Sequence, residues 1–187
     1  MKEILDFLPH NETEPSAIWQ WVEQYGEKLL SRMPEGHFTA AGFIFNPERT
    51  KTLMIYHNIY QSWAWTGGHA DGERNLLSVA LREAWEETGA VCRPIDGIAC
   101  TVDILPVQAH IKHGQPVAAH VHLNFSFALE CSEDAPLRTK PDENSGVAWI
   151  EIAELSHKVS PEDARLMLPI YEKIVRQYSP IRWSSQA

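Results

Sequence analysis

Glu83, Glu86 and Glu87 stand at positions i, i+3 and i+4, a spacing that places all three carboxylates on one face if the segment is helical. Three like charges packed together destabilise a bare helix. A hard divalent cation relieves that repulsion, and Mg²⁺ suits the donor set because it prefers oxygen ligands and keeps waters that a phosphate-bearing substrate can displace. An ion held there is suited to stabilising charge on the phosphoryl oxygens of such a substrate. For this short stretch alone there is a plainer reading: a solvated charged face in which Arg82 pairs with Glu86 at i, i+4.

The elements that must hold these residues follow from periodicity. After Gly67-Gly68 the apolar pattern becomes helical, with Leu77, Leu81, Ala84 and Thr88 along one side and Gly89 as a C-terminal stop. On this reading Leu77, Leu81 and Ala84 anchor the helix to a sheet from a face beside the carboxylates, so that metal and core occupy different sides. Strand-like segments rich in β-branched and aromatic residues cover 38–45, 53–57 and 60–66 before the helix, and 98–111, 117–131 and 147–150 after it. An N-terminal helix starts at Pro15-Ser16, carries Ile18, Trp19, Val22, Leu29 and Leu30, and ends near Met33 before Pro34-Glu35-Gly36. A last helix over 161–178 has Pro161 in its first turn, Leu166, Ile170 and Ile174 along one side, and Pro169 as a potential kink. Strands flanked by helices predict an α/β fold, with residues 1–36 as a helical extension and residues 37–187 as the main domain.

Gly67-Gly68-His69-Ala70-Asp71-Gly72-Glu73 followed by Arg82-Glu83-Ala84-Trp85-Glu86-Glu87-Thr88-Gly89-Ala90 resembles the Nudix box, G-x(5)-E-x(7)-R-E-U-x-E-E-x-G-U with U apolar. The resemblance implies a Nudix-type α/β/α sandwich with a mixed sheet. It also implies metal-dependent hydrolysis, with Mg²⁺ or Mn²⁺, of a phosphoanhydride in a nucleoside diphosphate linked to another moiety. By motif position Glu86 and Glu87 become metal ligands, Glu83 a ligand or a contributor to water activation, the Gly68 carbonyl a backbone ligand, and Arg82 the residue that orients the carboxylates. Gly67 and Gly89 are structural supports. The sequence departs from the box at one place: the first glutamate should fall at Arg74, whereas Glu73 lies one residue early. If the Gly72 turn lets the chain slip by a residue, Glu73 pairs with Arg82 and Arg74 points to solvent.

Members of this family often supply a further carboxylate from the loop before a late strand that carries a Trp. Here Glu143 precedes Val147-Ala148-Trp149-Ile150 and is the candidate fourth acid, as ligand or general base; an exposed acidic turn is the alternative. His120 and His122 alternate on a strand and so face one side of it. With His69 they are candidates for substrate contact or a second metal, against ordinary packing or surface roles. Trp63 and Trp65 share a strand face, and either can stack on a base or pack in the core. The stretch Gly36-His37-Phe38-Thr39-Ala40 and the GGHADG segment resemble a bacterial subgroup of the family whose substrate is unassigned.

Bulk properties narrow the field. A chain of 187 residues with 44% hydrophobic and 22% charged composition supports one well-filled core. A net charge of −9 without clustered Lys and Arg argues against stable nucleic-acid binding. Apolar runs are far shorter than the roughly 20 residues of a membrane span, and the first residues lack a basic start and a long apolar centre, so a cytoplasmic location is expected. Cys92, Cys100 and Cys131 form no CxxC pair and no even framework. Trp19 and Trp21 are assigned to packing or a homodimer contact. Two other functions compete with the hydrolase: a Nudix-fold nucleotide-binding regulator without catalysis, which usually lacks box glutamates, and an isomerase on the same fold, which needs a catalytic cysteine beside the site.

Overall fold

A computed structural model describes residues 15–112 and 114–184. In chain order the elements are α1 (Pro15–Tyr25) with a 3₁₀ turn (Gly26–Leu30), β1 (Gly36–Phe45), β2 (Lys51–His57), β3 (Ser62–Ala64), β4 (Thr66–His69), α2 (Leu76–Thr88), β5 (Arg93–Val107), β6 (His110–Lys112), β7 (Gln115–Val117), β8 (His120–Glu130), β9 (Asn144–Glu151), α3 (Leu155–Lys158) and α4 (Pro161–Tyr178). The main sheet has seven strands and is mixed: β1 runs parallel to β8 and antiparallel to β2 and β4, while β5 pairs antiparallel with β8 and β9 with β2. Every residue of β1 is buried, which is why both of its faces are rich in apolar side chains.

Two apolar layers result from the alternation of side chains along the strands. Phe38, Ala40, Ile44, Leu123, Phe125, Phe127 and Leu129 point to one face, where α1 and α2 cover them with Ile18, Val22, Leu76, Val79, Ala80 and Ala84. Phe43, Phe45, Met54 and Ala128 point to the other, where α4 contributes Leu168, Ile170, Tyr171, Ile174 and Val175. The expected α/β/α sandwich is therefore present. The N-terminal helix shares the α2-side core, with Trp19 and Trp21 packed against it. Among the described residues no helix is long and apolar enough to cross a membrane.

Several boundaries differ from the expectation for definite reasons. The first helix stops at Tyr25 because Gly26 takes φ +55°, which a right-handed helix does not use. The expected strand over 60–66 is two strands, and Gly67 and Gly68 lie inside β4; the turn falls at Asp71 (φ 47°) and Gly72 (φ 92°). A small hairpin, β6 with β7, interrupts the region expected as two long strands. The last helix spans 161–178 as expected and runs on through Pro169, but Leu166 is exposed and the buried side is Leu168, Ile170, Tyr171, Ile174 and Val175.

Candidate active site

Helix α2 is well delimited. The Asn75 side chain accepts the Ser78 N–H (3.0 Å), and Gly89 closes the helix at φ +76° with its N–H donated to the Trp85 carbonyl. Its buried stripe is Leu76, Val79, Ala80, Glu83, Ala84, Glu87 and Thr88. This corrects the reading that put metal and core on different sides: Glu83 and Glu87 continue the apolar stripe toward the sheet, and Leu77 and Leu81 lie at its edge.

Both glycines are held to their size by close neighbours. A methyl group at Gly68 would come within 2.4 Å of the Glu83 carboxylate, and one at Gly67 within 2.9 Å of the Ala40 carbonyl oxygen. The bare Gly68 thus leaves room for Glu83 between helix and strand, while Gly67 sits tight against β1. Gly67 N–H donates to Glu87 Oε2 (2.9 Å). Glu87 is only 3% exposed, and burial, aided by the charges of Glu83 and Glu143, pushes its carboxyl up to about 8 against the opposing Gly67 hydrogen bond. Burial also raises Glu83, opposed by the hydrogen bond from Arg82.

Arg82 ties this cluster together. Its Nη2 donates to Glu83 Oε1 (3.0 Å) and to the His69 carbonyl (3.3 Å), and its Nε lies 3.7 Å from Glu86 Oε1. Glu143 also reaches the cluster: Lys140 Nζ is 2.9 Å from Glu143 Oε2 and 3.3 Å from Glu86 Oε2. Burial opposes the Lys140 charge, but its hydrogen bonds to the two acids outweigh that and raise it to about 12. No box position signals Lys140, and it was missed. Asn144, also missed, is fully buried and donates to the Glu87 carbonyl (3.0 Å), fastening the 140–144 turn to the end of α2.

Glu73 does not pair with Arg82. Its Oε1 accepts the Asn75 N–H (2.8 Å), so it supports the start of α2, and Arg74 pairs with Glu27 at 2.7 Å on the surface. The reason is local: the Asp71-Gly72 turn directs residue 73 to the helix start, and Arg82 already has partners in Glu83, Glu86 and the His69 carbonyl.

On the other face of β4 the structure gathers histidines. His120 and His122 do share a face, with Nε2 atoms 3.2 Å apart. The His69 ring lies 5.1 Å from that of His122. His37, not counted among the candidates, stacks within 5.0 Å of His69, His120 and His122. Burial lowers His37, and lowers His122 to about 3 with help from His69, His37 and His120, so both rings are neutral at neutral pH. No local signal marks His37; it is the parallel pairing of β1 with β8 that sets it beside His122. Trp63 packs edge-on to Tyr56 and beside Gly146, and Trp65 edge-on to the buried Tyr171; both belong to the α4-side core. Cys100 and Cys131 are buried and Cys92 half-buried, and burial raises all three thiols, Cys92 to about 12, which suits packing rather than nucleophilic roles.

The carboxylates fit a hard divalent ion: the donors are all oxygens, and Glu87 is a buried acid whose charged form needs a nearby cation. Comparison with known proteins decides the family, because residues 36–170 match the NUDIX domain. The chain belongs to the Nudix family. It is a hydrolase of pyrophosphate bonds, and such hydrolases generally use divalent metals. A "Probable DHNTP pyrophosphohydrolase" of Lactococcus lactis subsp. cremoris (strain MG1363) is 23% identical over 134 residues, 71% of this chain and 76% of that protein. The human protein "Nucleoside diphosphate-linked moiety X motif 6" is 27% identical over 82 residues, 43% of this chain but 26% of that protein. Among solved structures, a C. elegans Ap4A hydrolase binary complex superposes with a TM-score of 0.51 at 15% identity, covering 75% of this chain and 96% of that one, a likeness of fold.

Proposed function

We propose that this Nudix protein uses Mg²⁺ or Mn²⁺ to cleave a phosphoanhydride bond in a nucleoside diphosphate linked to another moiety, or in a related small diphosphate. The observation that carries the reading is the meeting of Glu83 and Glu87 with the glycine pair, Glu87 almost wholly buried, and of Glu83 and Glu86 with Arg82. Glu83, Glu86, Glu87 and the Gly68 carbonyl are the groups that would hold the ion, which when bound neutralises charge on the phosphoryl oxygens. Arg82 holds Glu83 and the β4 backbone in register with each other. Glu143, restrained by Lys140, is positioned at the edge of the cluster as a base that can take a proton from the attacking water. Of the residues expected to contact substrate, His69 borders the cluster through its carbonyl, held by Arg82, whereas the side chains of His120, His122, Trp63 and Trp65 lie on the opposite face of the sheet from the glutamates and are not assigned to substrate.

The names of the relatives select the first compounds to try. The purified chain is incubated with DHNTP, nucleoside triphosphates, dinucleoside polyphosphates such as Ap4A, ADP-ribose, NADH, nucleotide sugars and coenzyme A, with Mg²⁺ or Mn²⁺. Phosphate or pyrophosphate release is then followed. Turnover of at least one compound that stops in excess EDTA is the expected result. Full turnover in EDTA would remove the metal from the mechanism, and no turnover of any compound would favour a nucleotide-binding regulator.

A further inference from the structure

We propose that His37, His120 and His122 form a second metal site, separate from the glutamates, that takes one late first-row divalent ion of the Zn²⁺ class. One imidazole nitrogen from each of the three lies within 4.8 Å of the other two. Two of them are already at the spacing such an ion needs: Zn–N bonds of 2.0–2.1 Å in a tetrahedron set neighbouring nitrogens about 3.3 Å apart, and His120 Nε2 is 3.2 Å from His122 Nε2.

The protonation pattern points the same way. His37 Nδ1 is 3.0 Å from the Met33 carbonyl and His120 Nδ1 is 2.9 Å from the Ala118 carbonyl. A carbonyl only accepts, so each Nδ1 carries the hydrogen and each Nε2 presents a lone pair. The same carbonyl-to-histidine support orients ligand histidines in metal sites. His37 is only 5% exposed, and its Nε2 is buried without a hydrogen-bond partner, a loss that a packed side chain ordinarily avoids. Its ring stacks on that of His120 and lies tilted beside that of His122, each with centroids 5.0 Å apart.

An all-imidazole set selects Zn²⁺, Ni²⁺, Co²⁺ or Cu²⁺ over Mg²⁺, which prefers oxygen. The site also lies on the opposite face of β4 from the carboxylates. Successive residues of a strand point to opposite sides: Gly68 faces Glu83, and His69 faces His37 and His122. Three protein ligands leave a fourth position, the arrangement of sites that accept a water or an anionic oxygen.

The test is titration of the chelator-stripped full chain with Zn²⁺ in excess Mg²⁺, which occupies oxygen-rich sites. Co²⁺ replaces Zn²⁺ in a parallel experiment read by its visible absorption. One equivalent of Zn²⁺ is expected to bind, and Co²⁺ to give a tetrahedral spectrum. His122→Gln and the partly exposed His120→Gln should each weaken Zn²⁺ by at least about 100-fold, beyond the loss typical of an outer-shell partner. Circular dichroism checks that the variants are folded, and His120→Gln decides the matter if His122→Gln is not. Glu86→Gln should leave Zn²⁺ binding unchanged. Failure of the wild-type chain to bind Zn²⁺, or binding that survives both histidine changes, overturns the proposal whatever the outcome of the substrate screen.

Discussion

Replacing Glu87 by Gln should stabilise the metal-free protein while nearly abolishing its activity. The folded carboxyl sits at about 8 against an ordinary 4.5, so the folded state holds this proton more tightly than the unfolded chain does. The stability this provides is complete below pH 4.5 and is lost as pH rises toward 8. At 1.36 kcal/mol per pH unit the full effect is about 4–5 kcal/mol; relaxation and water penetration around the ionised group reduce it to about 2 kcal/mol. Gln cannot ionise and still offers an oxygen to Gly67. In a chain of this size 2 kcal/mol corresponds to a rise in Tm of about 4–8 °C. Thermal melts in EDTA at pH 8 and pH 5 provide the assay, with the Glu87→Gln protein melting higher at pH 8 and the gap closing at pH 5. Added Mg²⁺ should erase or reverse the gap, and kcat should fall by a factor on the order of 10³. Equal or lower melting of the variant at pH 8 would refute the desolvation argument, and a near-native kcat would show that α2 is not the site.

Other changes test the supporting parts. Gly68→Ala places a methyl group inside the Glu83 carboxylate and should cost about 100-fold or more in kcat, measured beside divalent-metal affinity, because a displacement of about 1 Å is enough for such a loss. Arg74→Ala removes an exposed pair with Glu27 and should change stability by less than about 1 kcal/mol and kcat little, as read by denaturant melts and steady-state rates. Glu73→Gln weakens support for the start of α2 by about 0.5–1 kcal/mol with kcat nearly unchanged; a loss of 10–100-fold would restore a Glu73–Arg82 link. Lys140→Met removes a cation that competes for Glu86 and Glu143, so Mg²⁺ should bind several-fold more tightly by calorimetry, worth about 1 kcal/mol; weaker binding would mean that Lys140 is needed to place Glu143.

The part of the site carried by one helix was legible from spacing, because i, i+3, i+4 geometry is fixed by the helix itself. Gly89 at the end of α2 and Pro161 at the start of α4 were legible from their residue types, whereas the caps Asn75 and Ser160 were not read. What lay beyond local spacing was not. Lys140 and Asn144 reach the cluster through a turn 54 and 57 residues from their α2 partners. His37 joins His122 only through the parallel register of β1 and β8, and a parallel pairing leaves no mark in the sequence between the strands. The side on which Glu83 and Glu87 fall was misread because hydrophobic periodicity counts acids as outward-facing, whereas here Glu83 lies against Gly68, which has no side chain, and Glu87 accepts the Gly67 N–H.

That last feature explains why the glycine pair and the glutamates belong together energetically. Two acids on the core-facing stripe of a helix are costly, since their charged forms lose water on burial. The cost is visible in the raised Glu83 and Glu87 carboxyls. It is tolerated because Gly68 leaves space, the Gly67 N–H offers a hydrogen bond, and Arg82 and Lys140 supply positive charge at the edge. Neither cation hydrogen-bonds Glu87, so its charged form stays costly and the carboxyl holds a proton up to about pH 8 when no divalent ion is present. An ion bound there would displace that proton and pair with a carboxylate already stripped of water and fixed in place, so its affinity would rise with pH. Matching Glu87 with a second arginine would raise the stability of the resting protein above pH 8 by removing the feature on which the proposed ion affinity depends.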